Sequence, residues 1–153
     1  MTPTLDAVLP DIVLASRVLE VESEREVTEM FRPCADVIVL RILGHFSLRA
    51  ATQVTTALEK EVDGQAFHMF AEWTAVTGYD AAARKHVTEW VIAHRGLVRR
   101  SWFCAGNRMV EMGISVGAMA VSLVGVDASV VPYAEWLNEL LGHVPDAGGA
   151  RVG

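Results

Sequence analysis

Hydrophobic and polar positions change their period along this chain in a definite order. Between Arg17 and Arg32, alternating patterns that take in Val18, Glu20, Arg25, Val27, Glu29 and Phe31 predict one or two edge strands. Pro33 closes that region, with Cys34 and Ala35 as the turn. The run from Asp36 to Leu43 is β-branched and nearly continuous, and Gly44 closes it. A strand apolar on both sides belongs in the middle of a sheet, covered on both faces. From Ser47, a capping residue, the period lengthens. Ala51, Val54, Thr55, Leu58 and Val62 form one helical stripe, and Gly64 ends it.

The next unit organises the rest. Phe67 to Trp73 reads as a buried strand, Thr74 to Asp80 as a polar turn, and Ala81 to His94 as an amphipathic helix. Ala83, Val87, Trp90, Val91 and His94 share the inward face of that helix, while Arg84, Lys85, Thr88 and Glu89 share the outward one. Asp80 is placed to cap it, and Gly96 to stop it. In α/β sheets, ligands and partners meet the loops that leave the carboxyl ends of strands, so function is sought first at this turn.

Val98 to Ala105 reads as another strand, Gly106–Asn107 as a turn, and Arg108 to Ala120 as a helix. Gly113 and Gly117 fall on one face of that helix and permit a close approach to the sheet. Leu123 to Val126 is the expected last strand, and Tyr133 to Leu141 the closing helix, stopped by Gly142. The stretch from His143 to Gly153 is expected to be a disordered tail, and residues 1–16 either a short docking helix or a mobile segment. Strands first, then strand–helix alternation, predict an α/β domain over residues 17–142, with a mixed sheet and helices crossing between parallel strands.

Composition narrows the function. The chain has 153 residues, 52% hydrophobic and 21% charged, which suits one domain with a real core and excludes disorder. A net charge of −6 and the lack of a basic stripe argue against nucleic acid; Arg95, Arg99 and Arg100 make only a short cluster. No signal peptide is apparent, and the most apolar segment, Met109 to Val126, carries Glu111 and three glycines and reads as core rather than a membrane span. Cys34 and Cys104 offer neither a disulfide framework nor metal-ligand spacing, so the default setting is reduced and cytoplasmic.

No catalytic constellation emerges. The phosphatase signature separates Cys and Arg by five residues, but Arg108 falls only four positions after Cys104 and position 110 is Val; Cys104 is expected to be buried and inert. His45, His68, His86, His94 and His143 are scattered, and no metal or cofactor is expected. Gly113-Ile-Ser115-Val-Gly117 matches a nucleophile elbow only in letters, since it lies inside a predicted helix. Trp73, Trp90, Trp102 and Trp136 read as core; the competing reading places Trp73 and Tyr79 in an exposed recognition patch.

From about residue 24 to 141, the layout resembles the STAS fold of bacterial anti-sigma-factor antagonists and sulfate-transporter tails, and within it the SpoIIAA-like branch, related in fold to lipid-binding Sec14 domains. The antagonist pattern Asp-Leu-Ser-x-Val-x-x-x-Asp-Ser falls on Glu72 to Ala81, where Thr74, Val76 and Asp80 keep it and Glu72 departs mildly. Ala81 stands where that family carries its regulatory phosphoserine, and alanine has no hydroxyl to modify. Thr74 and Thr77 are the nearest alternatives. The resemblance implies a STAS-like mixed sheet of about four to five strands with three to four covering helices. It further implies a non-enzymatic, regulatory module without the usual switch. Its partner is another protein, met through Thr74, Thr77, Tyr79, Asp80, Ala81 and Arg84. A small apolar ligand or lipid, held between the sheet and the helix at 108–120, is the alternative. Self-association into a dimer through the edge strands near residues 18–32 is a third.

Overall fold

The protein is described by a computed structural model covering residues 16–145. The expectations for the N-terminal segment and for residues 146–153 lie outside the described residues.

The elements follow in the order β1 (Arg17–Glu22), β2 (Glu26–Cys34), β3 (Val37–Phe46), α1 (Leu48–Val62), β4 (Phe67–Tyr79), α2 (Ala81–Ala93), β5 (Val98–Ala105), α3 (Arg108–Ser122), β6 (Asp127–Val130) and α4 (Tyr133–His143). They build an α/β domain around one mixed sheet, whose spatial order β1-β2-β3-β4-β5-β6 is also the chain order. The first three strands pair antiparallel, and β3 to β6 pair in parallel through the helical crossovers.

Strand alternation decides where each helix lies. On β3, Ile38, Leu40 and Ile42 join Met69 and Ala71 of β4 on the face that packs with Val54 and Leu58 of α1, Trp90 of α2 and Ile114 of α3. Val37 and Val39 point the other way, and with Phe70, Trp102 and Cys104 they pack on Trp136, Leu137 and Leu140 of α4. Both faces of β3 are thus apolar because both are covered. Trp136 is the keystone of the second face. It is fully buried, its Nε1–H donates to the Trp102 carbonyl at 3.1 Å, and Phe70 meets it edge-on at 6.0 Å between ring centres. At the antiparallel end, buried Glu29 draws in Arg17 at 3.0 Å and Arg41 at 2.9 Å, tying the edge strand to its neighbours.

Four expectations change. The sheet has six strands rather than about four to five. Pro33 and Gly44 do not end their strands: β2 runs on to Cys34, and β3 to Phe46. Gly44 instead sits at φ +85, where an added Cβ would run into the Arg25 carbonyl, so the strand bends through a conformation open to glycine. The last strand is Asp127–Val130, not Leu123–Val126. The chain turns at Gly125 (φ +86) and leaves Leu123 85% exposed, so an apolar run that looks like a strand is a helix exit. Finally, α4 continues to His143, whose ring lies 4.6 Å from that of His68 and 5.4 Å from Phe70.

Candidate functional site

The stretch expected to be a polar turn is strand. β3 keeps pairing with β4 past Trp73, through Leu43 with Ala75, Gly44 with Val76, His45 with Gly78 and Phe46 with Tyr79. A register shift between Glu72 and Ala75 breaks the alternation, leaving Thr74 and Ala75 both exposed; beyond it Val76 is buried and Thr77 exposed. Buried Glu72 takes hydrogen bonds from the backbone N–H and the hydroxyl of Thr74, so this carboxylate serves its own strand end. The last stretch of β4 therefore brings Thr74 and Thr77 to the surface while Val76 and Tyr79 stay packed against the helices.

Asp80 sits at the N-cap position of α2, but its side chain makes no bond to that helix. One carboxylate oxygen lies 2.8 Å from His45 Nε2, and the other accepts the Leu48 N–H of α1 at 3.0 Å. The two bonds, His45 first, hold the Asp80 carboxyl below its ordinary value. The expected cap thus crosses to a neighbouring helix, because the long β3–β4 pairing brings the start of α1 alongside the start of α2. Ser47 caps α1 as expected, accepting from Ala50 N at 3.1 Å.

Of the six residues expected to bind a partner, Thr74, Thr77 and Ala81 face solvent, and Asp80 is half-exposed. Tyr79 is partly buried: its ring lies so close to α3 that a Cβ on Gly113 would collide with it. Trp73 is 8% exposed and packs on Phe46 and Phe103, so the exposed Trp73–Tyr79 patch is not formed. Arg84 is partly buried, in the seam between α2 and α3. Gly117 faces Thr88 of α2, whose Oγ1 would be 3.1 Å from an added Cβ. Of the two glycines, only Gly113 therefore serves the approach to the sheet.

Two further features mark this region, and only the first was not foreseen. On α3, Met109, Met112, Val116 and Met119, followed by Leu123, form a row of exposed side chains, each more than half exposed, while Val110, Ile114 and Val121 fill the core. The signal was present, since a helix apolar on every side must either be buried all round or present one side to a partner. The row reaches β4: a Cβ on Gly78 would lie 3.8 Å from Met109 Cε and 3.4 Å from His45 Nδ1. The second feature is a cavity of about 60 Å³ between the sheet, α2 and α3, in the place named for a small ligand. Met69, Trp73, Phe103, Val110 and Ile114 supply much of its wall.

The reactive residue types are engaged elsewhere. Cys104 is fully buried, and burial together with nearby Glu72 pushes its thiol far up, away from thiolate chemistry. Ser115 donates to the Glu111 carbonyl within α3, as a helical residue and not as an elbow. His86 meets Thr55 Oγ1 at 2.8 Å, and His94 stacks on Trp90 beside Glu59. Among the described residues, no group of three or more His, Cys, Asp or Glu is placed to hold a metal ion, and no helix is long and apolar enough to cross a membrane.

No protein-family model matches the sequence, and no curated protein does. Solved structures do match. The anti-sigma factor antagonist SpoIIAA in its unphosphorylated form superposes with a TM-score of 0.58 at 10% identity, covering 75% of this chain and 96% of that one. The chain has a SpoIIAA-like fold. A second SpoIIAA-like structure, an uncharacterized DUF3478-family protein from Shewanella loihica PV-4, superposes with a TM-score of 0.57 at 14% identity, covering 80% of this chain and 98% of that one. The STAS-type architecture expected from the strand–helix order is therefore the observed one. Within this SpoIIAA-like domain, the end of β4, the start of α2 and the outer side of α3 lie together.

Proposed function

We propose that this protein is a non-enzymatic, STAS-like regulatory module that binds another protein through one continuous surface. That surface comprises the last stretch of β4 with Thr74 and Thr77, the first turn of α2 at Ala81, and the apolar row of α3. The observation that carries the proposal is the join between them, where Met109 reaches over Gly78 beside the His45–Asp80 pair. A row of large apolar side chains left in water on one helix marks an interaction site, and methionine adapts readily to a partner's shape. The partner that fits is a protein segment with an apolar ridge, such as an amphipathic helix laid along α3.

The likeness to an anti-sigma factor antagonist supports a protein partner, though at 10% identity it speaks to fold and not to the partner's identity. Ala81 is exposed and has no hydroxyl, so recognition here is not switched by phosphorylation at that residue. Asp80 and Tyr79 contribute from beneath, by holding α1 and α3 in place. A Sec14-like lipid site is the weaker reading: a cavity of about 60 Å³ is far below the roughly 300–1,000 Å³ of pockets that take larger ligands, let alone two acyl chains.

The test is chemical crosslinking in cells followed by mass spectrometry, comparing the wild type with Met112→Glu/Val116→Asp and with Thr77→Arg. All three positions are exposed, so circular dichroism and thermal melting should be unchanged. The expected result is one crosslinked protein lost in the double variant and depleted in Thr77→Arg. An identical set of crosslinked proteins across all three would overturn the proposal.

A further inference from the structure

The seam between α2 and α3 leads inward from the surface. A groove lined by Arg84, Lys85, Thr88, Val116 and Gly117 opens outside it, and Arg84, Thr88 and Gly117 also line the 60 Å³ cavity beneath. Gly117 keeps this entry open, because a Cβ there would already press on Thr88.

The inner wall is almost wholly apolar, with two exceptions. Ser101 on β5 (2% exposed) and Trp73 on β4 (8% exposed) both line the cavity, and neither the Ser101 hydroxyl nor the Trp73 indole N–H has a hydrogen-bond partner. Strand register puts them on the cavity face, since Ser101 pairs with Met69 and also lies opposite Ala128, both of which line the same space. Buried polar groups are ordinarily satisfied, and one left without a partner costs its full desolvation. The indole N–H can only donate, and the hydroxyl is free to do so. At the mouth stands a third donor, Arg84, whose guanidinium has no hydrogen-bond or ion-pair partner among the described residues. The unspent polar groups are thus donors on a greasy wall, and the complement of that arrangement is a group that only accepts.

We propose that this cavity binds a small monocarboxylate with a short apolar body. Its carboxylate, an acceptor with several lone pairs, takes the Arg84 guanidinium and the Ser101 hydroxyl, while its hydrocarbon part fills the space against Phe103, Val110 and Ile114. The volume sets the scale: about 60 Å³ suits a body of a few carbons. Water alone fits less well, since each buried water needs two to four polar partners and apolar cavities stay dry. The inference goes beyond the protein-binding surface: the cavity lies on the sheet side of α3, although Val116 of the exposed row also edges the groove outside it.

The experiment is an ¹⁵N-resolved NMR titration of the full chain with sodium butyrate, with butan-1-ol as the neutral probe of like size. Butyrate should give saturable shifts at Ser101, Phe103 and Ile114 in the millimolar range, at least tenfold tighter than butanol. Arg84→Gln should erase that preference while leaving butanol binding in place. Ala118→Leu, which pushes a side chain into the cavity from α3, should abolish both. Should Ala118→Leu fail to fold, Ser101→Val serves instead: it removes a lining hydroxyl and should weaken butyrate more than butanol. Absence of saturable shifts with either probe would overturn the proposal. Equal affinity for butyrate and butanol, or butyrate binding unaffected by Arg84→Gln, would overturn the carboxylate assignment.

Discussion

Gly106 and Gly96 allow one substitution to be tested in two surroundings. Gly106 lies in the turn between β5 and α3, against the last stretch of β4. A Cβ added there would overlap the Thr74 carbonyl oxygen and stand 2.9 Å from its carbon and 3.3 Å from Thr74 Cα. Every one of those atoms is backbone, in a strand that β3 continues to pair just beyond it, so no side chain can rotate away. To admit the methyl, the two segments must part by on the order of 1 Å, an overpacking shift that costs about 1–3 kcal/mol. For a chain of this size, each kcal/mol lowers Tm by about 2–4 °C, so Gly106→Ala should melt roughly 2–12 °C below wild type. Gly96, beyond the end of α2, has nothing within 4 Å of an added Cβ and no positive φ. Gly96→Ala should therefore be neutral or stabilising by up to about 1 kcal/mol, through the restricted unfolded chain. Differential scanning calorimetry of both variants at one pH gives the comparison. If Gly106→Ala melts with wild type, or the two alanines destabilise alike, the close packing of that turn on Thr74 is wrong.

Other outcomes follow from the core and the titrating groups. Trp136→Ala should cost about 3–5 kcal/mol by denaturant unfolding, as expected for a large buried side chain with its own hydrogen bond; a loss under 1 kcal/mol would remove α4 as the cover of the second face. The Asp80 carboxyl is depressed by His45 and the Leu48 N–H, so its stabilising share is present above the ordinary carboxylate value and lost as pH falls through the lower folded one. The stability gap between wild type and Asp80→Asn should accordingly narrow below about pH 4, and a gap constant from pH 7 to 3 would contradict the bond to α1. Burial, and then His143, lowers the basicity of His68, so the unfolded chain gains a proton first and stability should begin to fall as pH drops below 6.5; His68→Gln should lose that slope. Iodoacetamide should leave Cys104 unmodified in the native protein and reach it only in denaturant, whereas rapid native labelling would deny its burial.

Much of this architecture could be read from the chain because local and global preferences agree. The stripe from Ala51 to Val62, the Ser47 cap and the strand from Val98 to Ala105 each match one period and one environment. Reading failed where tertiary pairing overrode local chemistry. Thr74 to Tyr79 has a turn's composition, yet β3 runs long enough to pair with it. Leu123 to Val126 has a strand's composition, yet Gly125 turns it. The site divides the same way. Exposure of Thr77 and Ala81 follows from alternation and helix phase, while that of Thr74 at a register shift, the span from Asp80 to α1 and the burial of Tyr79 depend on neighbours distant in sequence. The exposed row of α3 was legible in the spacing of Met109, Met112, Val116 and Met119; what could not be read was which side of the helix the sheet would take.

The six strands lie side by side in the order they are made, and that has a bearing on where anything can bind. Every parallel step advances in the same direction, so each right-handed crossover deposits its helix on the same side of the sheet. Doubly wound proteins reverse direction once, and the helices diverging there leave a crevice that receives the ligand. A sheet wound one way has no such parting. Anything small must come in between two adjacent helices, and anything large must lie across the top of the helical layer or at its strand-end rim.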